Sequence, residues 1–383
     1  MSLALRPRLW TRRFFFCHRN YNVAVEGELN NDKLMEEQLV NDLFGGTGGS
    51  KKIPDKLENT STLLFPGQGS QYVGMVKNLF KYQNVKDMFD VASEILGFKL
   101  LDLCIHGPKN QLDKTIYCQP AVVVTSLAGV EKLQAETPEV LENCMAVAGY
   151  SVGEYAALVF SGALTFEDAI SLVKIRALEM QKASDDTGGG MISLVGGAKT
   201  KFNLACTDAV EYCHEKLGME RVLCRVSGYL APNIRTVAGH LAALEYLSSQ
   251  KQNYHIRRVQ ILPVSGAFHT ALMRPAVKKM KHALKAIEVK EPMVTVYGNI
   301  DGKPYKDSAD IVEKLPEQII RPVLWEQTVH AMYAQYKNKA HHTYELGPNH
   351  KLGVLLKHCN GKAWKNYLPV DNRDNRTADN ENG

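Results

Sequence analysis

Short apolar runs alternate with longer amphipathic stretches along most of this chain, as expected where buried parallel strands are covered by helices. The first half predicts a strand over 62–66, a buried helix over 119–133, a strand over 145–149, and short and long helices over 155–160 and 166–183. Thr165 is placed to cap the long helix, with Asp168 as its capping-box partner. The glycine run Gly188-Gly189-Gly190 then punctuates the chain, and the pattern changes. Between 191 and 262 it predicts a strand (191–195), a helix (201–216), two strands (222–226 and 234–237), a helix (241–249) and a strand (258–262). That βαββαβ order is the ferredoxin-like arrangement. The first pattern resumes with a helix over 271–287, a strand over 294–297, a helix over 325–336, a strand over 343–346 and a helix after Gly347-Pro348. The fold class is therefore α/β: a large domain built on a parallel sheet, from 59–190 and 263–370, with a small ferredoxin-like subdomain over 191–262 inserted in it.

The ends depart from this pattern. The first twenty residues carry Arg6, Arg8, Arg12, Arg13 and Arg19 and no acid, interleaved with Trp10, Phe14, Phe15 and Phe16. That is the composition of a mitochondrial presequence, and the arginines break up the apolar run that a secretory signal needs. A glycine-rich linker (Gly45-Gly46-Thr47-Gly48-Gly49) completes an N-terminal region of residues 1–58, and a polar tail over 371–383 is expected to be disordered. The formal charge of +5 rests on those five arginines, and without them the remainder is neutral, so nothing points to nucleic acid. No stretch approaches the ~20 apolar residues of a membrane-spanning helix, which predicts a soluble protein. Eight cysteines are scattered without a Cys-x-x-Cys pair, and His341-His342 lacks metal-ligand spacing. Reduced thiols and no metal site are expected.

Candidate chemistry concentrates in Gly149-Tyr150-Ser151-Val152-Gly153, between a predicted strand and a predicted helix. Flanking glycines let a serine sit on a sharp strand-to-helix turn, its hydroxyl at the helix N-terminus where free N–H groups stabilise an oxyanion. This gives the large domain an α/β-hydrolase-like character. The competing reading is a tight glycine turn with an incidental serine. As base, His269 stands out among twelve histidines because it follows the apolar run 261–264 at the edge of a predicted helix. A satisfied core histidine would occupy the same pattern. No acidic residue stands out to orient it, so a backbone carbonyl is the expected partner. Arg176, on the amphipathic helix, reads from its spacing alone as a solvated surface residue or as a carboxylate ligand. The loop Gly67-Gln68-Gly69 lacks the further glycine or Lys-Ser/Thr of nucleotide-binding loops.

Four motifs in order resemble one family: Phe65-Pro66-Gly67-Gln68-Gly69-Ser70-Gln71, Gly149-Tyr150-Ser151-Val152-Gly153-Glu154, Lys174-Ile175-Arg176-Ala177 and Gly266-Ala267-Phe268-His269-Thr270. Over about 60–368 the chain resembles the malonyl-CoA:acyl-carrier-protein transacylases. Tyr150 and the cationic N-terminus are similar to the mitochondrial branch. The resemblance implies that Ser151 is the nucleophile, that His269 is its base, and that the Gln68 and Val152 N–H groups form the oxyanion hole. It implies that Arg176 binds the malonyl carboxylate, that Gln119, Met180 and Phe268 line the pocket, and that the Leu324 carbonyl orients His269. It further implies a matrix enzyme using malonyl-CoA and, transiently, acyl carrier protein, with no bound cofactor. The enzyme is taken as a monomer. Arg257, Arg258, Lys278, Lys279 and Arg321 are candidates for carrier docking, against a plain solvated basic face. Two other readings remain open: a serine esterase or thioesterase with water as acceptor, and an inactive carrier-binding scaffold.

Overall fold

The computed structural model describes residues 60–334 and 341–370; the N-terminal region 1–58, the linker within it and the tail 371–383 lie outside the described residues. In chain order the principal elements are β1 (Ser61–Phe65), α1 (Val85–Leu96), α2 (Thr115–Glu136), β2 (Cys144–Gly149), α3 (Gly153–Phe160), α4 (Phe166–Thr187), β3 (Gly189–Val195), α5 (Phe202–Leu217), β4 (Cys224–Ala231), β5 (Ile234–His240), α6 (Leu241–Ser249) and β6 (Arg258–Ile261). They continue with α7 (Arg274–Leu284), β7 (Thr295–Tyr297), α8 (Ser308–Glu317), α9 (Trp325–Ala334), β8 (His342–Leu346), α10 (Lys351–Cys359) and β9 (Tyr367–Val370).

Strands β7-β2-β1-β8-β9 form a five-stranded sheet in which every neighbouring pair is parallel. β1 is buried along its whole length because helices cover both faces of the sheet, which is why its sequence is a continuous apolar run rather than an alternating one. β1 and β2 run in register from Thr62 opposite Ala146 to Phe65 opposite Gly149, so both end at the same edge of the sheet. Loops leaving strand C-termini gather there, where ligands bind in open parallel sheets.

The second sheet has the order β4-β5-β3-β6, with all pairs antiparallel, and α5 and α6 carry the crossovers. This is the βαββαβ arrangement expected from the sequence. β4 bears two irregularities, between Val226 and Gly228 and between Tyr229 and Ala231. The bulged strand meets the segment before α9: Tyr229 N–H donates to the Val323 carbonyl at 2.8 Å, and Val323 N–H to that of Ser227 at 3.0 Å. A salt bridge of 3.1 Å between Arg235 and Glu326 closes the same junction.

Several elements differ from the sequence expectation. The stretch expected as one helix over 271–287 begins as a 3-10 turn (Ala271–Met273) and becomes α-helical only at Arg274, where Pro275 sits in the first turn. The helices α1 and α8 and the edge strand β9 were not anticipated. β9 contains Pro369, tolerated because among the described residues one side of the strand has no ladder partner. No helix among the described residues is long and apolar enough to cross a membrane.

The long helix α4 carries a residue central to the site, and its start is set by the predicted cap. The Thr165 hydroxyl accepts from the Asp168 N–H at 3.1 Å and donates to the Asp168 carboxylate at 2.7 Å. Thr165→Ala is expected to lower the unfolding free energy by about 1 kcal/mol in a urea titration, and Thr165→Asp to recover most of it. An unchanged midpoint in Thr165→Ala would show that packing alone fixes the helix start.

Candidate active site

The turn at Ser151 follows directly from the crossing of β2 and α3. A Cβ on Gly149 would lie 2.0 Å from the Gly153 carbonyl carbon, and one on Gly153 would lie 2.2 Å from the Phe65 carbonyl oxygen. Only glycine allows this approach, and it drives Ser151 into the left-handed region at φ 53°. Asn299, fully buried after β7, holds the turn from below. Its Oδ1 accepts from the Ser151 N–H at 2.6 Å and its Nδ2 donates to the Gly149 carbonyl at 2.6 Å.

His269 also has a positive φ, 61°, and is 3% exposed. Its Nε2 lies 2.8 Å from Ser151 Oγ, and its Nδ1 lies 2.8 Å from the Gln318 carbonyl. A carbonyl only accepts, so Nδ1 carries the proton and Nε2 presents its lone pair to the serine hydroxyl. Burial pulls the imidazole down to about 4, the Arg176 charge adds to this, and the Gln318 and Arg321 carbonyls oppose it. The expectation that Leu324 orients the ring is corrected here. The Leu324 carbonyl accepts instead from the Thr328 N–H and hydroxyl, both at 2.9 Å, in the first turn of α9. The short turn Gln318–Ile320 after α8 is what reaches the imidazole.

Arg176 projects from α4 and is 0% exposed. One terminal nitrogen donates to Ser151 Oγ at 3.1 Å and to Gln318 Oε1 at 2.8 Å. The guanidinium carbon lies 5.8 Å from the Tyr155 ring centroid, and Nε is buried without an acceptor. Burial lowers the Arg176 pKa, but a guanidinium stays protonated across the physiological range. Glu154, also 0% exposed, accepts from the Tyr305 hydroxyl and, at 2.5 Å, from Gln318 Nε2. Burial lifts its carboxyl to about 7 against the pull of those two donors, the Asn299 N–H and the Arg176 charge.

The loop after β1 lies against the nucleophile turn, since a Cβ on Gly67 would be 2.4 Å from the Tyr150 carbonyl oxygen. Gly69 N–H is used by Gln71 Oε1 at 2.7 Å and Ser70 N–H by Gly67 at 3.3 Å. The N–H groups of Gln68 and Val152 have no protein acceptor among the described residues. Gln68 Nε2 reaches Thr115 Oγ1 at 3.3 Å. Gln119 Nε2 lies 3.4 Å from Gln68 Oε1 and 3.7 Å from Met180 Sδ, and its own Oε1 is buried without a partner. Phe268 is buried in the main core, next in sequence to His269. Arg257, Arg258, Lys278, Lys279 and Arg321 are all exposed.

Asn299, Gln318 and Tyr305 escaped the sequence reading, and Glu154 was read only as part of a motif. Gln318 lies in an irregular turn with no periodicity to mark it. Asn299 had a faint signal, a Gly-Asn pair directly after a predicted strand.

The arrangement is a serine–histidine dyad with unused N–H donors and a buried cation beside the nucleophile, the equipment of acyl transfer through a serine ester. Comparison with known proteins agrees. Residues 62–343 match the acyl transferase domain family. The human malonyl-CoA-acyl carrier protein transacylase, mitochondrial, is 49% identical over 81% of this chain and 80% of its own length. An acyl carrier protein S-malonyltransferase from Vibrio cholerae superposes with a TM-score of 0.72 at 32% identity, covering 82% of this chain and 97% of that one. A malonyl-transacylase solved in complex with its type II polyketide-synthase acyl carrier protein gives 0.70 at 30% identity, covering 81% and 94%. The chain belongs to the malonyl-CoA-acyl carrier protein transacylase family of acyl transferases.

Since the His269 pKa is depressed, its basic form persists as pH falls through the ordinary histidine range and is lost only near 4. The rate of Ser151 modification by an uncharged sulfonyl fluoride is expected to hold from pH 7.5 to 5.5. A rate that halves near pH 6.5 would show an ordinary, solvated imidazole.

Proposed function

We propose that this chain transfers a malonyl group from malonyl-CoA to the phosphopantetheine thiol of acyl carrier protein, by a ping-pong route through malonyl-Ser151. The observation that carries this reading is Arg176, a fully buried cation 3.1 Å from Ser151 Oγ with an unused donor. An esterase for neutral acyl chains has no use for such a charge, whereas a dicarboxylic acyl group brings the anion that matches it.

In the first half-reaction Ser151 Oγ attacks the thioester carbonyl and its proton passes to His269 Nε2. The negative oxygen of the tetrahedral intermediate is held by the Gln68 and Val152 N–H groups. The C–S bond then breaks, and the CoA sulfur leaves with the proton from His269. In the second half, the carrier thiol gives its proton to Nε2 and attacks the serine ester. The C–O bond breaks and the proton returns to Ser151 Oγ. The Gln318 carbonyl keeps His269 in the required tautomer throughout. Arg176 holds the malonyl carboxylate, and Gln119 and Met180 line the acyl pocket beside it.

Phe268, buried next in sequence to His269, resembles the residue of malonyl-selective members, which supports discrimination against a methyl branch. The cationic N-terminus and the mitochondrial designation of the human relative support a mitochondrial, and specifically matrix, location and a role in fatty acid synthesis there. The intact dyad and clamp disfavour an inactive scaffold.

Intact-mass measurement after mixing with malonyl-CoA should find a malonyl adduct in the parent protein and none in Ser151→Ala. Arg176→Ala should lose malonyl loading by about 100-fold or more while loading acetyl from acetyl-CoA, as expected when a buried ion pair worth ~3–5 kcal/mol is broken. Free malonate released faster than the carrier is loaded would establish a thioesterase instead. Methylmalonyl-CoA should load about 10–100-fold more slowly than malonyl-CoA, the range a single methyl group supports. Equal rates would remove Phe268 from the specificity argument.

A further inference from the structure

Gln318 meets three partners through one carboxamide. Its Nε2 donates to the Ser151 carbonyl at 2.9 Å and to Glu154 Oε2 at 2.5 Å, and its Oε1 accepts from Arg176 at 2.8 Å. Two acceptors on one side and an obligate donor on the other leave only one orientation of the amide. A flipped amide would set its NH2 against the guanidinium and its oxygen against two other oxygens, exchanging three hydrogen bonds for three repulsive contacts. The Ser151 carbonyl is part of the backbone and cannot be varied. Glu154 is the part of the arrangement supplied by a side chain.

Glu154 is fully buried in the first turn of α3, three residues past the nucleophile. Tyr305 occupies its other oxygen, so the carboxyl group is fixed at both ends. It forms no salt bridge among the described residues, and its carboxyl group lies one amide away from Arg176. A buried carboxylate adds little to stability by itself. Its value here lies in what it orients.

We propose that Glu154 is a positioning residue for acyl-group selection: by fixing the Gln318 carboxamide it presents an acceptor to Arg176 and holds the guanidinium against Ser151 in the pose that receives a carboxylate. This rests on Arg176 being the malonyl clamp. Glu154 does not touch the reacting atoms, and its effect passes through Gln318. Loss of the carboxylate removes one of the three hydrogen bonds that hold the amide and loosens the neutral acceptor that the buried guanidinium needs.

The experiment measures kcat/KM for loading from malonyl-CoA and from acetyl-CoA in the parent protein, Glu154→Met, Glu154→Gln and Tyr305→Phe. Methionine matches glutamate in length but offers no strong acceptor. Glutamine keeps an oxygen for Gln318 and can donate to the Tyr305 oxygen. Glu154→Met is expected to lose malonyl loading at least tenfold, mostly in KM, with acetyl loading changed less than threefold. Glu154→Gln is expected to stay within threefold of the parent for both. Parallel losses for the two substrates, or no loss, would overturn the proposal and leave Glu154 a packing residue. Should Glu154→Met fail to fold, Tyr305→Phe decides: a malonyl-selective loss supports the proposal, and a parallel loss or none overturns it. A parent protein with no preference for malonyl-CoA would overturn the clamp itself, and the role of Glu154 with it.

Discussion

Burying the Arg176 guanidinium is the most demanding step in assembling this site. Moving such an ion out of water costs several kcal/mol even after the protein relaxes around it. The direct polar partners that offset the cost are neutral: the Gln318 amide oxygen, the Ser151 hydroxyl and the face of the Tyr155 ring. The Glu154 carboxyl, which burial lifts to about 7, is separated from it by the Gln318 amide. The cation is thus held without being neutralised by an adjacent carboxylate, which leaves it available to an incoming anion.

The same charge shapes the dyad. Burial disfavours the imidazolium and the nearby positive charge adds to this, so His269 stays a free base at neutral pH without an acidic partner. Its ring is fixed by the Gln318 carbonyl, while the side chain of that residue supports Arg176. One residue therefore ties the His269 ring, the Ser151 backbone and the Arg176 cation into one hydrogen-bonded set, on which both halves of the proposed transfer would draw.

Much of this was legible in the chain because the relevant physics is local. The glycines around Ser151 report a crossing of strand and helix that no other residue fits, and the Thr165 cap marks where α4 begins. The βαββαβ subdomain announces itself by the switch between strand and helix periods. The parts that were not legible depend on long-range geometry. Gln318 is 167 residues from Ser151 and sits in a turn without a pattern, and Asn299 acts 148 residues from its partner. Leu324 was the carbonyl that the family resemblance implied. Which carbonyl reaches the imidazole, however, is decided by where α8 ends and α9 begins. Glu154 stood in plain view within the motif, but a carboxylate whose partner is a distant amide gives no sign of it in the sequence.

The claim that Ser151, the two N–H donors and Arg176 act on one acyl group is tested most directly by a crystal structure of the enzyme trapped after brief exposure to malonyl-CoA. The expected result is density continuous with Ser151 Oγ, its carbonyl oxygen on the Gln68 and Val152 N–H groups, and its carboxylate on Arg176. An acyl group attached elsewhere, or a carboxylate turned away from Arg176 toward solvent, would contradict it.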